Sequence, residues 1–469
     1  MFDIRSRGST VVREVIGGVT TFMAMSYILF VQPAVLSIAG MDAGGVFMAT
    51  CIASGVTCIL MGLLANYPIA LAPGMGENFF FVFTLCGVGA AAGAFRLSWQ
   101  EALALTAVVG VVFLGMALVG LRSKLLNSIP DALKSGIAAG IGLFIALIGF
   151  EWGNLLVPDA ATLVRLAPLK GNYVAGLTLL GLAVTVMLAA WRIRGAVLLG
   201  ILLTTLAAAL FTRYQGWPGP VLPESVLAVP RGIEHTAGGL FAGFSSLAQK
   251  AVGSRWLDVL AFGFILLFMD LFDTVGTLVG VAQRAGLVHQ GTLPRAERAL
   301  AADATGTILG AGLGTSTVTS YIESVAGVSA GARTGLAAVV AGVCLLAAMF
   351  FQPLARMIGE GISVTVHYGG PGGTQGTLLR YPMIAPALIF VGAMMIRAIR
   401  DVEWDDVTEA VPAFLTMATM AFAYSISAGI AVGFISYAFA KIVSGRFRQC
   451  PLIVYAFAIL WALRYALLD

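Results

Sequence analysis

The chain has 469 residues, of which 59% are hydrophobic and only 11% charged, with a formal net charge of +4. A soluble protein of this size would carry about 25% charge. Apolar runs recur from end to end, so the composition excludes an ordinary soluble domain and indicates an integral membrane protein built of helices.

The first apolar run, 15–39, is too long for a signal-peptide core and reads as a retained helix. Further runs follow at 46–64, 72–90, 101–121, 133–150, 173–190 and 196–214, the one at 72–90 being broken by Gly and Pro. A polar stretch rich in Pro and Gly, 215–256, reads as a loop between two halves. The second set lies at 257–280, 297–313, 314–328 (broken), 335–352, 382–399, 407–424 and 427–444. Residues 1–14 form a short N-terminus, 15–214 and 257–444 two repeats of seven spans, and 445–469 a C-terminal apolar segment. In that last segment Trp461, Arg464 and Tyr465 suit an anchor at the membrane interface, with an extra span as the alternative.

The halves are related by a constant offset. Glu77 and Asn78 lie about 245 residues before Glu323, and the first span precedes the eighth by about 242. A constant offset is what an internal duplication leaves. Seven spans per copy force the second copy to enter the membrane from the opposite side, an inverted repeat. Arg5, Arg7, Arg13, Arg122, Lys124, Lys134, Arg192, Arg194, Arg284, Arg295, Arg298, Arg333, Arg397 and Arg400 then fall on one side, which places the N-terminus in the cytoplasm. Arg213, Arg231, Lys250 and Arg255 fall on the other side, in or beside a long loop where the rule is weak.

Chemistry concentrates in three places. In the broken third span, Leu71-Ala72-Pro73-Gly74-Met75-Gly76-Glu77-Asn78 precedes Phe79, Phe80 and Phe81. Asn78 offers donors and an acceptor, and the phenylalanines offer ring faces for a flat heterocycle or, alternatively, core packing. Glu77 lines the pathway or pairs with a cation such as Arg333. In the eighth span, Asp270, Asp273, Thr274 and Thr277 share one helical face, a polar stripe suited to a site or to hydrogen bonding between helices. Asp270 is expected to face the ligand and Asp273 to support it. In the tenth, Gly314-Thr315-Ser316-Thr317-Val318-Thr319-Ser320 suits a short extended segment before Glu323, which opens a half-helix whose N-terminus offers free N–H donors. Ionisable groups at membrane depth are costly and mark function. Buried acids can hold protons near neutral pH through desolvation and mutual repulsion, which suits proton coupling.

The ligand these groups imply is small, neutral and flat, with N–H donors. Carboxylates without a cation at the same depth disfavour an inorganic anion. The five cysteines form no CxxC pair, His235, His289 and His367 read as loop residues, and neither a phosphate-binding loop nor an HExxH helix occurs. No metal, cofactor or nucleic-acid partner is indicated.

The stretches Gly17-Gly18-Val19-Thr20-Thr21-Phe22-Met23-Ala24-Met25-Ser26-Tyr27, Ala72-Pro73-Gly74-Met75-Gly76, Asp270-Leu271-Phe272-Asp273-Thr274 and Gly314-Thr315-Ser316-Thr317 through Glu323-Ser324 resemble the adenine/guanine/hypoxanthine permease branch of the nucleobase–cation symporter-2 family. The likeness runs over essentially the whole chain. It implies an all-α fold of about fourteen transmembrane helices in two inverted seven-helix repeats, with short strands opening helices three and ten. It also implies a core domain (15–121 and 257–352) packed on a gate domain (133–214 and 382–444), and a homodimer formed through the gate. The family's key carboxylates fall on Asp270 and Glu323 and its third-helix asparagine on Asn78. The substrate-binding set is then Asn78, Phe79, Phe80, Asp270, Thr274, Thr317, Glu323 and Ser324, with Asp270, Asp273, Glu77 and Glu323 as proton-coupling candidates. Many members carry an apolar residue where this chain has Glu77. The activity implied is import of hypoxanthine, guanine or adenine across the cell membrane by proton symport with an elevator-like motion. The alternatives are another flat heterocycle such as xanthine or uracil, a passive channel, or a membrane-embedded enzyme.

Overall fold

The computed structural model describes residues 2–89, 95–119, 129–159, 162–220, 222–223, 225–253, 255–287, 293–367 and 375–468. Arg122, Lys124 and His289, used above, lie outside these. Helix dominates, and nine helices among the described residues are long and apolar enough to cross a membrane.

In the first half, α1 (Val11–Met25) and α2 (Ile28–Ser37) make one crossing, broken at Ser26 and Tyr27. The crossing begins at Val11, where Thr10 caps the helix by accepting from the Arg13 amide at 3.3 Å. Helix α3 (Ala43–Leu64) returns, capped by Asp42. The third crossing is composite: strand β1 (Leu71–Pro73), a short helix α4 (Met75–Phe79) and a π-helical turn (Phe80–Leu85). Four full helices follow: α5 (Trp99–Val119), α6 (Asp131–Trp152), α7 (Tyr173–Ala190) and α8 (Ala196–Gln215). Between α6 and α7, β2 (Leu156–Asp159) and β3 (Leu163–Leu166) form a hairpin.

The stretch 215–256, expected to be a loop, contains a helix of 14 residues. Its segment α9 (Gly239–Val252) lies against α5 and places Gly243 so close that a Cβ there would sit 2.2 Å from the Gln100 carbonyl. Thr236, just before it, plugs the end of a later helix, donating to the Leu313 carbonyl at 3.0 Å. Composition hid this helix, because two glycines and few charges precede an amphipathic run only four turns long.

The second half repeats the plan with α10 (Trp256–Arg284), α11 (Ala296–Leu313), strand β4 (Val318–Ser320) with the short helix α12 (Ser324–Ser329), and α13 (Gly335–Ala347) continued by α14 (Gln352–Gly359). A hairpin, β5 (Ile362–His367) and β6 (Gln375–Arg380), leads to α15 (Ala385–Met395), α16 (Val407–Phe422) and α17 (Ile426–Val443).

Glycine lets the helices meet backbone to backbone, as membrane bundles require in the absence of a hydrophobic force between helices. A Cβ on Gly335 of α13 would lie 2.1 Å from the Gly62 carbonyl of α3. A Cβ on Gly392 of α15 would lie 2.4 Å from the Gly142 carbonyl of α6. Around these crossings α1, α3, α5, α11 and α13 pack together, and α6, α7, α8, α15, α16 and α17 pack together.

The C-terminal helix α18 (Leu452–Leu468) packs on the bundle. It runs antiparallel along α10: Phe457 stacks on Phe264 at 3.5 Å, Trp461 meets Phe262 at 6.4 Å, and Arg464 donates to Asp258 at 2.8 Å. Its other side meets α17 through Phe434 and Phe457. The Trp–Arg–Tyr cluster read as headgroup contact surrounds a carboxylate that is fully buried and 206 residues away in sequence. An Arg flanked by aromatics satisfies either environment.

Candidate functional site

The two composite crossings meet in the middle of the fold. Strands β1 and β4 pair antiparallel, Leu71 opposite Ser320, Ala72 opposite Thr319 and Pro73 opposite Val318. Backbone bonds extend the ladder, from the Gly74 amide to the Thr317 carbonyl at 3.2 Å and from the Tyr321 amide to the Ala70 carbonyl at 2.9 Å. Extended backbone inside a membrane is tolerated only where its polar groups find partners. Here each strand is the other's partner, and side chains complete the set. Tyr321 donates to the Pro73 carbonyl at 2.5 Å, and the Ser324 hydroxyl accepts from the Ala70 amide at 3.0 Å. Pro73, which has no N–H, ends the strand, and Gly74 follows as the N-cap of α4.

Each strand hands over to a short helix with an acid at its start, as N-cap or in the first turn. Glu323 is the N-cap of α12; its carboxylate does not cap the helix but accepts from the Tyr27 hydroxyl at 2.9 Å, at the break between α1 and α2. Glu77 stands in the first turn of α4 and curls back toward Gly74, where a Cβ would lie 2.1 Å from Oε2 and 2.8 Å from the Thr319 methyl. Only glycine leaves room for that carboxylate.

Asp273 and Asp303 complete a group of four acids near enough to act on one another. Asp303, in the middle of α11, is fully buried and accepts from Thr274 at 2.8 Å and from Ser320 at 3.1 Å. Because the one Thr274 proton goes to Asp303, the 2.7 Å contact between Thr274 and Thr319 is a Thr319 donation. A continuous chain thus runs from Asp303 through Thr274 to Thr319, whose methyl group borders Gly74 beside the Glu77 carboxylate. Asp273 is exposed and Glu323 half-buried, so these two are the accessible acids of the four.

Asn78 supplies the neutral polar edge. Its Oδ1 accepts from the Ser316 hydroxyl, which in turn accepts from the Gln32 amide at 3.1 Å. Its Nδ2 and the Thr317 hydroxyl have no hydrogen-bond partner among the described residues, although both side chains are fully buried. Buried polar atoms rarely stay unpaired without a reason.

Phe79 and Phe80, like Asn78 and Thr317, are 0% exposed. Phe79 sits among Phe83, Phe144 and Trp152, and Phe80 packs on Phe262. The π-helical turn directs these rings into the core. Asp270, expected to face the ligand, is fully buried and accepts from Thr307 at 3.2 Å, whereas Asp273, expected to support it, is exposed. Arg333 does not pair with Glu77, since its Nη1 donates to the Val328 and Ala332 carbonyls at 2.6 Å. The Thr274 hydroxyl donates to Asp303, and the Ser324 hydroxyl accepts from the Ala70 amide. Sequence reasoning missed Asp303, Tyr27, Gln32 and Ser316. For Asp303 the signal was present, a lone acid inside the small-residue run Ala301-Ala302-Asp303-Ala304-Thr305-Gly306.

The architecture and sequence have known counterparts. Residues 12–368 match the Permease family. The chain is 38% identical to the guanine/hypoxanthine permease PbuG of Bacillus subtilis (strain 168), over 100% of this chain and 99% of that protein. It is also 38% identical to the adenine permease AdeQ of Escherichia coli (strain K12), over 100% and 96%. Among solved structures, the transmembrane domain of the cyanobacterial bicarbonate transporter BicA superposes with a TM-score of 0.59 at 13% identity, covering 89% of this chain and 96% of that one. That likeness concerns the fold, which is the arrangement of two inverted seven-helix repeats. The chain belongs to the Permease family, the multi-pass nucleobase-permease family its motifs resemble.

Proposed function

We propose that this member of the Permease family imports purine bases (hypoxanthine, guanine or adenine) together with protons. The observation that carries the reading is that the Asn78 amide nitrogen and the Thr317 hydroxyl are buried without a hydrogen-bond partner among the described residues, on the two composite crossings that also carry Glu77 and Glu323. A purine offers ring N–H donors and nitrogen or carbonyl acceptors on one flat edge. Glu323 and Asp273 are acceptors for the N–H groups, and the Asn78 Nδ2 and the Thr317 hydroxyl are donors for the acceptors. A neutral base leaves these carboxylates uncompensated, because Glu77, Asp273 and Glu323 have no ion-pair partner among the described residues. Charged carboxylates are expensive to carry through a low-dielectric path. Protons taken up with the base remove that cost, which makes coupling a consequence of the site's charge.

The same reading suggests how the load moves. The bundle around α3 and α13 holds both strands and all four acids, while the bundle around α6 and α15 contributes apolar walls. A rigid displacement of the first bundle against the second would expose the site alternately to each side, an elevator-like motion.

The test is uptake of radiolabelled hypoxanthine into proteoliposomes, with and without an inward proton gradient, with unlabelled adenine, guanine, xanthine and uracil as competitors. Gradient-stimulated uptake blocked by a purine is the expected result. Uptake that ignores the gradient, or competition by uracil alone, would refute the proposal. Glu323→Gln is expected to abolish saturable uptake while the protein still reaches the membrane.

A further inference from the structure

Away from the acids, on the face that carries the N-terminus, a cavity of about 400 Å³ is bounded by Ser6, Arg7, Tyr67, Gly286, Arg295 and Arg333. Three guanidinium groups converge on it, and none makes an ion pair within 4 Å among the described residues. Arg7 spends Nη1 on the carbonyls of Asn66 and Arg333, at 2.9 and 3.1 Å. Arg333 likewise spends Nη1 on the carbonyls of Val328 and Ala332. Carbonyls orient a guanidinium but leave its charge in place. Asp3 and Glu14 act on Arg7 only from beyond ion-pair distance, and the Glu14 carboxylate is taken by the amides of Arg333 and Thr334. Burial and then the neighbouring Arg295 charge lower the Arg7 pKa from its ordinary value, as expected of like charges held close.

Arg295 adds a second, independent sign. It is the N-cap of the 18-residue helix α11, held at φ 61 and ψ 23, a left-handed conformation that is strained for a residue other than glycine. A cation beside a helix N-terminus opposes the helix dipole. Three arginines without an ion pair among the described residues thus border one cavity.

We propose that this cavity binds a phosphate-bearing anion, an organic phosphate rather than the inorganic ion. Planar guanidinium groups pair with phosphate oxygens in the fork geometry that makes arginine the preferred partner. The volume falls within the roughly 300–1,000 Å³ of small-molecule sites, more than phosphate alone fills. The cavity walls come from the segment leading into β1, the end of α10, the start of α11 and the turn after α12. Each of these lies on a stretch of chain that also carries one of the four acids: Glu77 after β1, Asp273 in α10, Asp303 in α11 and Glu323 at the start of α12. An anion bridging the arginines therefore ties together the ends of the elements that build the transport site. Two sources share the chemistry: a purine nucleoside monophosphate in solution, or an anionic phospholipid headgroup.

The test uses the full chain. In detergent, the unfolding midpoint is followed while inorganic phosphate or guanosine 5′-monophosphate is titrated against chloride of equal ionic strength. In nanodiscs, phosphatidylglycerol is compared with phosphatidylcholine. A saturable rise with the nucleotide identifies a soluble ligand, and a rise confined to phosphatidylglycerol identifies the headgroup. Either rise should vanish in Arg295→Gln, whose side chain makes no hydrogen bond among the described residues and so leaves the fold intact, and in Arg7→Gln. It should persist in Arg13→Gln. No shift with any phosphate probe, a response to inorganic phosphate equal to that to the nucleotide, or a shift that survives Arg295→Gln would overturn the proposal.

Discussion

Asp303 is the most informative single residue. It is fully buried, accepts two hydroxyl protons, and connects through Thr274 and Thr319 to the edge of the Glu77 site. Hydrogen bonds to a charged group contribute about 1.5–3 kcal/mol each, against about 0.5–1.5 for neutral ones. Asp303→Asn keeps the shape but loses charge and adds a donor where two donors already point. Uptake should fall by about tenfold or more, at 1.4 kcal/mol per decade, with unchanged amounts of protein in the membrane. Uptake within about twofold of the parent would show that Asp303 is merely structural. Asn78→Ala should raise the half-saturation concentration more than it lowers the maximal rate, because Nδ2 has no partner to lose among the described residues and is free for a ligand. Asp270, Asp273, Glu77 and Glu323 were all legible as candidates, since acids stand out in apolar runs. Their division of labour was not. Helical periodicity places Asp270, Asp273 and Thr274 on one side of α10, but a step of three residues rotates the chain by about 60° from register. That rotation separates a carboxylate buried against α11 from an exposed one.

Among the elements, the glycine crossings decide stability. Gly335→Ala would put a Cβ 2.1 Å from the Gly62 carbonyl of the facing helix, and backbone there has nowhere to retreat. Overpacking of this kind costs about 1–3 kcal/mol, so the unfolding midpoint in detergent should drop. Gly115→Ala is the control: nothing lies within 4 Å of the added methyl, and the gain in helix propensity should leave the midpoint unchanged or higher. Equal effects of the two would contradict this account. The strands β1 and β4 were legible because Pro73 and Gly314 stop helices where the membrane still requires satisfied backbone. Gly314 adopts φ +98, and a Cβ there would strike Thr236 at 2.4 Å. The docking of helices α9 and α18 was not legible for a common reason: their partners, α5 and α10, are remote in sequence.

For the whole molecule, the proposed motion makes a distinct demand. The N-terminus of α8 touches α1, and a Cβ built on Gly195 would lie 3.2 Å from the Met23 Cβ, close to the roughly 3.5–4.5 Å that a disulfide spans. Met23→Cys combined with Gly195→Cys should cross-link under oxidation, arrest uptake, and recover when reduced. Either single variant should keep transporting. Full activity of the cross-linked protein would mean that these two bundles do not move apart during the cycle.

Hydropathy, a repeated offset and breaker residues by themselves determined the number of crossings, their inversion and the two broken segments, because the bilayer imposes length and backbone satisfaction on any chain that spans it. Membership of the family was likewise written in short ordered motifs. The tertiary structure alone decided which acids are accessible, that Asp303 joins the group, that the phenylalanines turn inward, and that α18 stands beside α10. Each of these depends on contacts between residues far apart in the chain, where side-chain chemistry permits several partners and only the packed bundle selects one.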